Sequence, residues 1–390
     1  MPKGPPNLKL DRRLALVACL AWVIAWAVVS FLLLLGHTDR NESIIYAGSA
    51  QDWLARRGLY DKNIGADGKM GIDGFLYLPQ SAMLYAPFAL PGHPWGDIAW
   101  RAVGLALYAT GIWRMARNFS TERALIVFTA ATALAMPPAL GALRNGQANL
   151  HIAGLMLQAA AELRLRRWGW ATCWLIIGFA IKPIMLVMIL LAAAVYRPLL
   201  WRLIVGVALL FLVPLAFANP HYVLAQYRTC WQMLQVSSRP DRPFCNLQGL
   251  AWKLGAPLTQ TQTLFQVLQI LTALLTLALC LLAARRWSEP ARAYAILALA
   301  ACYLVLMNPR SEASSYVMLA PAIAVPAALL LLTMDRFTAG AALGVLCVLL
   351  TCDGWAYKWT EYWLKPIVCL IFLVLLIGAF FQARQPQYQT

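Results

Sequence analysis

Long apolar segments separated by short polar turns run through almost the whole chain. The first extends unbroken from about Leu14 to Leu35, the length of a membrane-spanning helix rather than of a short signal sequence. Twelve further apolar segments follow, near residues 75–91, 97–113, 124–140, 148–163, 170–181, 183–196, 201–218, 262–284, 291–307, 316–333, 337–352 and 362–382. The pattern predicts an all-α polytopic membrane protein that forms one integral membrane domain over residues 1–390.

The composition supports a membrane location and changes how the positive net charge is interpreted. Hydrophobic residues make up 61% of the chain and charged residues only 12%, whereas a soluble domain has about 25% charged residues. The formal net charge of +16 would suggest a nucleic-acid partner for a soluble protein, but the basic residues cluster in short turns between apolar segments. Such clusters indicate the cytoplasmic side of a membrane protein, so we expect no nucleic acid.

All basic clusters fall on one side of the membrane only if one apolar segment does not cross it. The best candidate is 75–91, which contains Pro79, Pro87 and Pro91 and is short for a hydrocarbon core of about 30 Å. About twelve transmembrane helices remain, with cytoplasmic tails at 1–13 and 383–390 and large periplasmic segments at 37–96 and 219–261. The first of these segments should hold interfacial or re-entrant helices. The pair 170–181 and 183–196 should form a short hairpin broken at Lys182-Pro183.

Acidic residues are concentrated just after the first apolar segment. Six of the sixteen carboxylates lie between His37 and Gly74. Asp39 and Glu42 lie within one helical turn of the predicted membrane edge. Because acid/base catalysis needs carboxylates and the bilayer interior penalises them, this stretch is the first candidate for a catalytic site.

Three basic side chains are predicted at membrane depth on the same side as this acidic stretch. They are Arg144, Lys182 and Arg310. A charge at this depth is costly unless it meets an anion or water, although any one of them alone could simply snorkel to the surface. Together they suit a phosphate at headgroup level, because arginine supplies bidentate donors and lysine a point charge.

Motifs for nucleotide or metal chemistry are missing from the sequence. There is no Walker A motif, no G-x-G-x-x-G after a strand and no zinc-ligand spacing among the four histidines, so no metal or other cofactor is predicted. These observations suggest glycosyl transfer from a membrane-bound polyprenyl-phosphate donor. A transporter or flippase for a lipid-linked anion would use the same cationic cavity, although the long outer loops and the lack of repeats count against it. A noncatalytic scaffold subunit is a third hypothesis.

Six short motifs, in order over residues 39–321, resemble those of glycosyltransferase family 87, polytopic GT-C enzymes that use polyprenyl-phosphate sugars. The motifs are Glu42 and Tyr46 with Gly58-Leu59-Tyr60; Tyr77, Pro79, Ala86 and Pro87; Gly146, Gln147 and Asn149; Lys182-Pro183; Asn246, Gln248 and Gly249; and Pro309, Arg310, Glu312, Ser315 and Tyr316. The family usually has aspartate four residues before the tyrosine, where this chain has Glu42. Either Glu42 replaces it as catalytic base or Asp39 one turn earlier does.

The resemblance implies a GT-C fold and an inverting hexosyl- or pentosyltransferase of the bacterial inner membrane, with its active site facing the periplasm. The donor would carry mannose or arabinofuranose, and the acceptor would be a glycolipid, a polysaccharide or a protein such as a pilin. Arg144, Lys182 and Arg310 would bind the donor phosphate. The other substrate-binding residues would be Tyr46, Tyr77, Gln147, Asn149, Trp231, Asn246, Gln248, Glu312 and Tyr316.

The polar segment 219–261 carries the two cysteines that lie outside the apolar segments. If it faces an oxidising compartment, a disulfide between Cys230 and Cys245 would close a loop of about 15 residues. Trp231 offers a flat apolar face that could stack on a sugar ring or lie at the membrane interface. We interpret the segment as part of an acceptor cleft, with an interfacial loop that touches no ligand as the alternative.

Overall fold

The computed structural model describes residues 8–37, 40–64, 71, 74–238, 242–334, 336–352 and 356–382. Helices dominate these residues, which contain no β-strand. In chain order the helices are α1 (Leu8–Leu34), α2 (Ser43–Leu54), α3 (Pro79–Ala89), α4 (Trp95–Phe119), α5 (Ala124–Arg144), α6 (Ala148–Arg164), α7 (Trp168–Ile181), α8 (Leu186–Val195), α9 (Arg197–Phe217), α10 (Pro220–Ser237), α11 (Leu247–Lys253), α12 (Leu258–Arg286), α13 (Glu289–Met307), α14 (Ala320–Leu332), α15 (Phe337–Leu349), α16 (Tyr357–Thr360) and α17 (Leu364–Gln382). Short 3-10 helices cover Asp61–Asn63, Pro183–Met185 and Ala313–Met318.

Seven helical segments within the described ranges are long and apolar enough to cross a membrane: Leu8–Leu34, Ala124–Arg144, Arg197–Phe217, Leu258–Arg286, Glu289–Met307, Ala313–Leu332 and Leu364–Phe381. Three shorter apolar helical segments accompany them, Trp168–Ile181, Pro183–Val195 and Phe337–Leu349. The predicted all-α polytopic architecture is confirmed. The number of crossings, about twelve, stays a prediction.

Segment 75–91 forms a helix too short to cross the bilayer on its own. Its helix α3 has 11 residues, which at helical rise span about 16 Å, roughly half of the hydrocarbon thickness. Pro79 starts α3, where its missing N–H has no cost. Tyr85, on the buried side of α3, lies in ring contact with Trp100 of α4 at 5.0 Å between centroids. Helix α3 therefore packs against the bundle.

The helical hairpin around Lys182 has the form that its proline predicts. Helix α7 ends at Ile181, Lys182 is extended (φ −147°, ψ 123°), and Pro183 begins a 3-10 turn that leads into α8. Proline disfavours the helical conformation in the residue before it, which explains the extended Lys182. The open ends of the hairpin meet where the rings of Trp168 and Tyr196 lie 5.4 Å apart. Lys182 is therefore at the apex of a short hairpin.

Helix α6 forms the centre of the bundle. Every residue from Ala148 to Leu163 is buried. By contrast α9 and α12 expose large apolar side chains such as Leu209 (56% exposed) and Ile270 (65%), as expected of surfaces that face lipid. Helices α4 and α6 approach closely at glycines: a Cβ added to Gly154 would lie 2.8 Å from backbone atoms of Leu107 and Tyr108. Small residues at a helix–helix contact allow this approach in membranes.

Segment 219–261, predicted as a polar loop, folds largely into helices α10 and α11. The buried positions of α10 are Val223, Gln226, Cys230 and Met233, spaced by three or four residues. This spacing is that of one helical face. The helix was not predicted, because its buried face is narrow and polar residues are mixed with apolar ones over the rest of its surface.

We expect Gly154→Ala to destabilise the protein, because the new methyl group would press on the backbone of α4. Overpacking of this kind costs about 1–3 kcal/mol of unfolding free energy. The matched control is Gly141→Ala on α5, where an added Cβ meets nothing within 4 Å. Thermal unfolding of both variants in the same detergent measures the difference. Equal stability of the two variants would contradict the close α4–α6 contact.

Candidate active site

A cavity of about 450 Å³ opens among the predicted site residues. Its volume lies in the range of small-ligand sites, about 300–1,000 Å³. The start of α2, the turn before α3, the α5–α6 turn, the Lys182 break, the end of α10 and the turn after α13 all contribute to its wall. The lining side chains used below are Glu42, Tyr46, Tyr77, Gln147, Asn149, Lys182, Arg242, Arg310, Glu312 and Ser315.

Glu42 lies at the N-terminal end of α2, and its carboxylate faces the cavity. Its backbone N–H donates to the carbonyl of Asn145 at 2.9 Å, which ties α2 to the α5–α6 turn. Burial, and after it the carboxylate of Glu312, raises the pKa of Glu42 above its ordinary value, while Lys182 and Arg310 partly offset that rise. A carboxyl with a raised pKa is a better proton acceptor near neutral pH. Asp39, the other predicted base, lies outside the described residues.

The ammonium group of Lys182 enters the cavity from the hairpin apex. Its Nζ donates to Oδ1 of Asn149 at 2.7 Å and lies 5.8 Å from the centre of the Tyr77 ring. The extended backbone before Pro183 turns this residue out of the helical path of α7. The hairpin break therefore delivers a cation to the cavity.

The Gly146-Gln147-x-Asn149 motif and the turn after α13 lie side by side at the cavity and are hydrogen-bonded to each other. Nε2 of Gln147 donates to Glu312 at 2.8 Å, and Nδ2 of Asn149 donates to Oγ of Ser315 at 3.2 Å. Glu312 and Ser315 also cap the 3-10 helix Ala313–Met318 through a reciprocal capping box. The two predicted motifs thus form one polar wall, which continues through Asn149 to Lys182.

Arginines supply further positive charge at the cavity. Arg310 lies in the lining, with its guanidinium carbon 5.5 Å from the centre of the Phe244 ring. Arg242 approaches the same ring at the same distance. Arg242 was not among the predicted site residues, although it lies two residues before an aromatic ring in the polar segment 219–261. The described lining therefore combines the cations Lys182, Arg242 and Arg310 with two carboxylates.

Two tyrosines complete the wall beside Glu42. The hydroxyl groups of Tyr46 and Tyr77 lie 3.1 Å apart, and their rings meet edge to face. The backbone N–H of Ala148, at the start of α6, donates to the Tyr46 hydroxyl at 3.3 Å. Tyr46 thereby links α2 to α6. The Tyr77 ring is a flat surface beside both the cation and the carboxylate.

Five predicted site residues in the described part of the chain do not line the cavity: Arg144, Asn246, Gln248, Tyr316 and, as described below, Trp231. Arg144 ends α5 with an exposed side chain. Asn246 donates to the carbonyls of Asn308 and Pro309, both at 3.0 Å, and so holds the turn that carries Arg310. Gln248 hydrogen-bonds Thr261 and Gln262 on α12, and the buried Tyr316 donates to the carbonyl of Cys245 at 3.1 Å. Asn246 and Tyr316 therefore hold backbone segments next to the cavity in place, whereas Gln248 joins α11 to α12.

Segment 219–261, predicted to form an acceptor cleft, lines the cavity with other residues than the predicted Trp231. Trp231 is 64% exposed on the outer face of α10, beside Leu224 and Arg228, while α10 lines the cavity with Leu234, Ser237 and Ser238. No disulfide joins Cys230 and Cys245. Cys230 packs beside the carbonyl of Tyr77, whereas the Cys245 N–H donates to the carbonyl of Ser311. The two cysteines therefore contact different segments of the chain.

A polar cluster behind Glu42 had no counterpart in the sequence analysis. It is formed by Asn41, Ser43, Asp97 and Arg101, all buried. An aspartate followed four residues later by an arginine inside an apolar helix was the available signal. Elsewhere in the described part of the chain, no three His, Cys, Asp or Glu side chains group as metal ligands.

Comparison with known proteins gives the family. No curated protein matches the chain. The family model for glycosyltransferase family 87 matches residues 75–309. The chain belongs to glycosyltransferase family 87. It is a membrane glycosyltransferase, which counts against the transporter hypothesis.

The family 87 match covers only part of the cavity. It includes Tyr77, Gln147, Asn149 and Lys182 and ends one residue before Arg310. Glu42 precedes the matched segment. The chemical role of Glu42 therefore rests on its position in the cavity.

We expect all nine cysteines to react with iodoacetamide in denaturant without a reducing agent, because the structure has no Cys230–Cys245 disulfide. Intact-protein mass spectrometry counts the added groups, and a reduced sample is the control. Labelling of two fewer cysteines before reduction, with Cys230 and Cys245 unmodified, would restore the predicted disulfide.

Proposed function

We propose that this family 87 enzyme transfers a mannosyl or arabinofuranosyl residue from a polyprenyl phosphate to an acceptor hydroxyl, with inversion. The observation that carries the proposal is the convergence of a carboxylate, Glu42, with the cations Lys182 and Arg310 in one cavity. A base and an anion site in one cavity are the two groups that such a displacement needs.

Glu42 is the proposed general base. Its carboxylate removes the proton of the acceptor hydroxyl as the acceptor oxygen attacks the anomeric carbon. The bond between that carbon and the phosphate oxygen breaks on the other side of the sugar, so one displacement inverts the configuration. Because the base must be ionised, activity should fall as the pH drops through the raised pKa of Glu42.

Lys182 and Arg310 are proposed to hold the phosphate that leaves. Negative charge grows on it as the glycosidic bond breaks, and fixed cations in a partly dry site stabilise that charge. Arg242 adds a third cation at the same wall. The hydrogen bond from Lys182 to Asn149 fixes the ammonium before the donor arrives.

The cavity also offers a route for the lipid and a place for the sugar. Apolar side chains of Ile45, Leu76, Ile184 and Leu234 form part of its lining and suit the first isoprene units. The Tyr77 ring beside Lys182 suits the face of a sugar. By resemblance, the acceptor is a glycolipid, a polysaccharide or a protein such as a pilin, at the periplasmic face of a bacterial inner membrane.

The direct test is incubation of purified enzyme with synthetic polyprenyl-phosphate mannose or arabinofuranose and candidate acceptors. Mass spectrometry detects the product, and NMR reports its anomeric configuration. An inverted glycoside with stoichiometric release of polyprenyl phosphate is expected. A retained configuration, or no transfer from either donor, would overturn the proposed reaction.

Glu42→Gln should lower kcat by roughly 10²–10⁴-fold, because the amide keeps the shape of the side chain but cannot accept the proton. Initial rates with the active donor measure the loss, and circular dichroism checks folding. Asp39→Asn is the matched variant and should keep most of the activity. A normal rate in Glu42→Gln together with a large loss in Asp39→Asn would transfer the role to Asp39.

Lys182→Met and Arg310→Met should each weaken both donor binding and turnover, because each removes positive charge from the phosphate site. The matched control is Arg144→Met, since Arg144 is exposed and does not line the cavity. Donor KM and kcat measured for the three variants separate the roles. Loss in Arg144→Met comparable to that in Lys182→Met would place the donor phosphate elsewhere.

A further inference from the structure

Arg101 lies on α4, directly behind the segment that carries Glu42. It is only 1% exposed, although arginine is rarely buried. All five N–H groups of its guanidinium donate hydrogen bonds, so its donor capacity is used completely. The acceptors are the carbonyl of Leu143 (3.0 Å, from Nε), Ser43 Oγ and the carbonyl of Asp97 (both 3.1 Å, from Nη1), and Asn41 Oδ1 (2.8 Å) and the carbonyl of Arg144 (3.0 Å, from Nη2).

These acceptors flank Glu42 on both sides. Asn41 and Ser43 are its chain neighbours, and the carbonyls of Leu143 and Arg144 belong to the α5–α6 turn. Glu42 itself donates its backbone N–H to Asn145 of the same turn at 2.9 Å. Arg101 therefore holds the backbone of Glu42 against the turn that leads into Gln147 and Asn149 on the cavity wall.

Asp97 balances the buried positive charge of Arg101. Its carboxylate accepts hydrogen bonds from Nδ2 of Asn41 and the hydroxyl of Tyr85, both at 3.0 Å, and contacts Nδ1 of His93 at 2.7 Å. Asn41 is thus held at both ends, by Asp97 through its amide nitrogen and by Arg101 through its amide oxygen. Burying charges is costly unless hydrogen bonds satisfy them, and the hydrogen bonds of Arg101 and Asp97 meet that requirement.

The backbone of Gly146 packs directly against the guanidinium of Arg101. Its φ is +63°, a left-handed conformation that favours glycine, and an added Cβ would lie 2.7 Å from Cζ of Arg101. The glycine of the Gly146-Gln147-x-Asn149 motif therefore leaves room for Arg101.

We propose that Arg101 is a positioning residue for catalysis: it fixes Glu42 by joining Asn41 and Ser43 to the α5–α6 turn. The proposal rests on the proposed function in that Glu42 is the base. Lysine cannot replace Arg101, because a single ammonium group has three donors and lacks the planar fork. A shift of the base of about 1 Å is enough to lower a rate by roughly 10²-fold.

The test compares Arg101→Lys with Arg114→Lys, a change of the same kind on the same helix. Arg114 donates to Gln158 and Glu162 of α6 and lies thirteen residues further along α4, about 20 Å away at helical rise. Arg101→Lys should lower kcat about 10²-fold with little change in donor KM, and should move the acid limb of the pH profile. Arg114→Lys should leave kcat and the pH profile unchanged, whatever it does to stability.

Hydrogen–deuterium exchange gives a second readout that needs no substrate. The backbone N–H of Glu42 donates to the carbonyl of Asn145, and that of Ser43 donates to Oδ1 of Asn41. Because Arg101 holds these acceptors in place, both amides should exchange faster in Arg101→Lys than in wild type or Arg114→Lys. If Arg101→Lys does not fold, Ser43→Ala and Asn41→Ala each remove one acceptor of the same guanidinium and should show the same effects in weaker form.

Unchanged exchange at residues 42–43 in the Arg101, Asn41 and Ser43 variants would overturn the positioning role. An equal loss of kcat in Arg101→Lys and Arg114→Lys, with the same pH profile, would overturn it as well. Failure of the wild-type enzyme to transfer sugar would instead overturn the proposed function, and the exchange result would still decide whether Arg101 holds the segment.

Discussion

The hydrogen bond between Lys182 and Asn149 is the interaction on which the arrangement of the site depends. It joins the apex of the α7–α8 hairpin to the central helix α6 at 2.7 Å. An ammonium group that is partly removed from water is tolerated only where polar groups and counter-charges surround it. Asn149 also donates to Ser315, and Ser315 belongs to the capping box with Glu312. One half-buried cation thus organises three separate segments around the cavity.

The α5–α6 turn connects the surroundings of Lys182 to Glu42, the proposed base. Its residues Gln147 and Asn149 face the cavity, while the carbonyls of Leu143 and Arg144 accept from Arg101 behind Glu42. Gly146 makes the turn possible through its positive φ and its lack of a side chain. A displacement of this turn would change the distance between carboxylate and cations. The short Gly146-Gln147-x-Asn149 motif therefore serves both halves of the proposed reaction.

Much of the fold followed from the sequence, because helical apolar segments and prolines determine it locally. The break at Lys182-Pro183 could be predicted from the restriction that proline places on the preceding residue. Glu42, Lys182 and Arg310 could be placed near one membrane edge, and the structure brings them to one cavity. A position near the end of an apolar segment can be read from a sequence in this way, whereas the direction in which a side chain leaves its helix cannot.

That difference explains why some predicted residues lie outside the cavity. Arg144 is the last residue of α5, but its side chain is exposed and does not line the cavity. Asn246 could equally have been a ligand or a partner for backbone carbonyls, and only the fold brings it to Asn308 and Pro309. Trp231 follows the outer face of a helix that was taken for a loop. The Arg101 cluster depends on contacts between residues up to 60 positions apart, which no local pattern contains.

The most direct test is a cryo-electron microscopy structure of the enzyme with a bound polyprenyl phosphate. We predict the phosphate within about 4 Å of the Lys182 ammonium and of the Arg310 guanidinium, the distance of a charge-assisted contact, with the Glu42 carboxylate on the opposite side of the sugar position. A phosphate more than about 8 Å from both cations, beyond roughly one Debye length at physiological salt, would contradict the account.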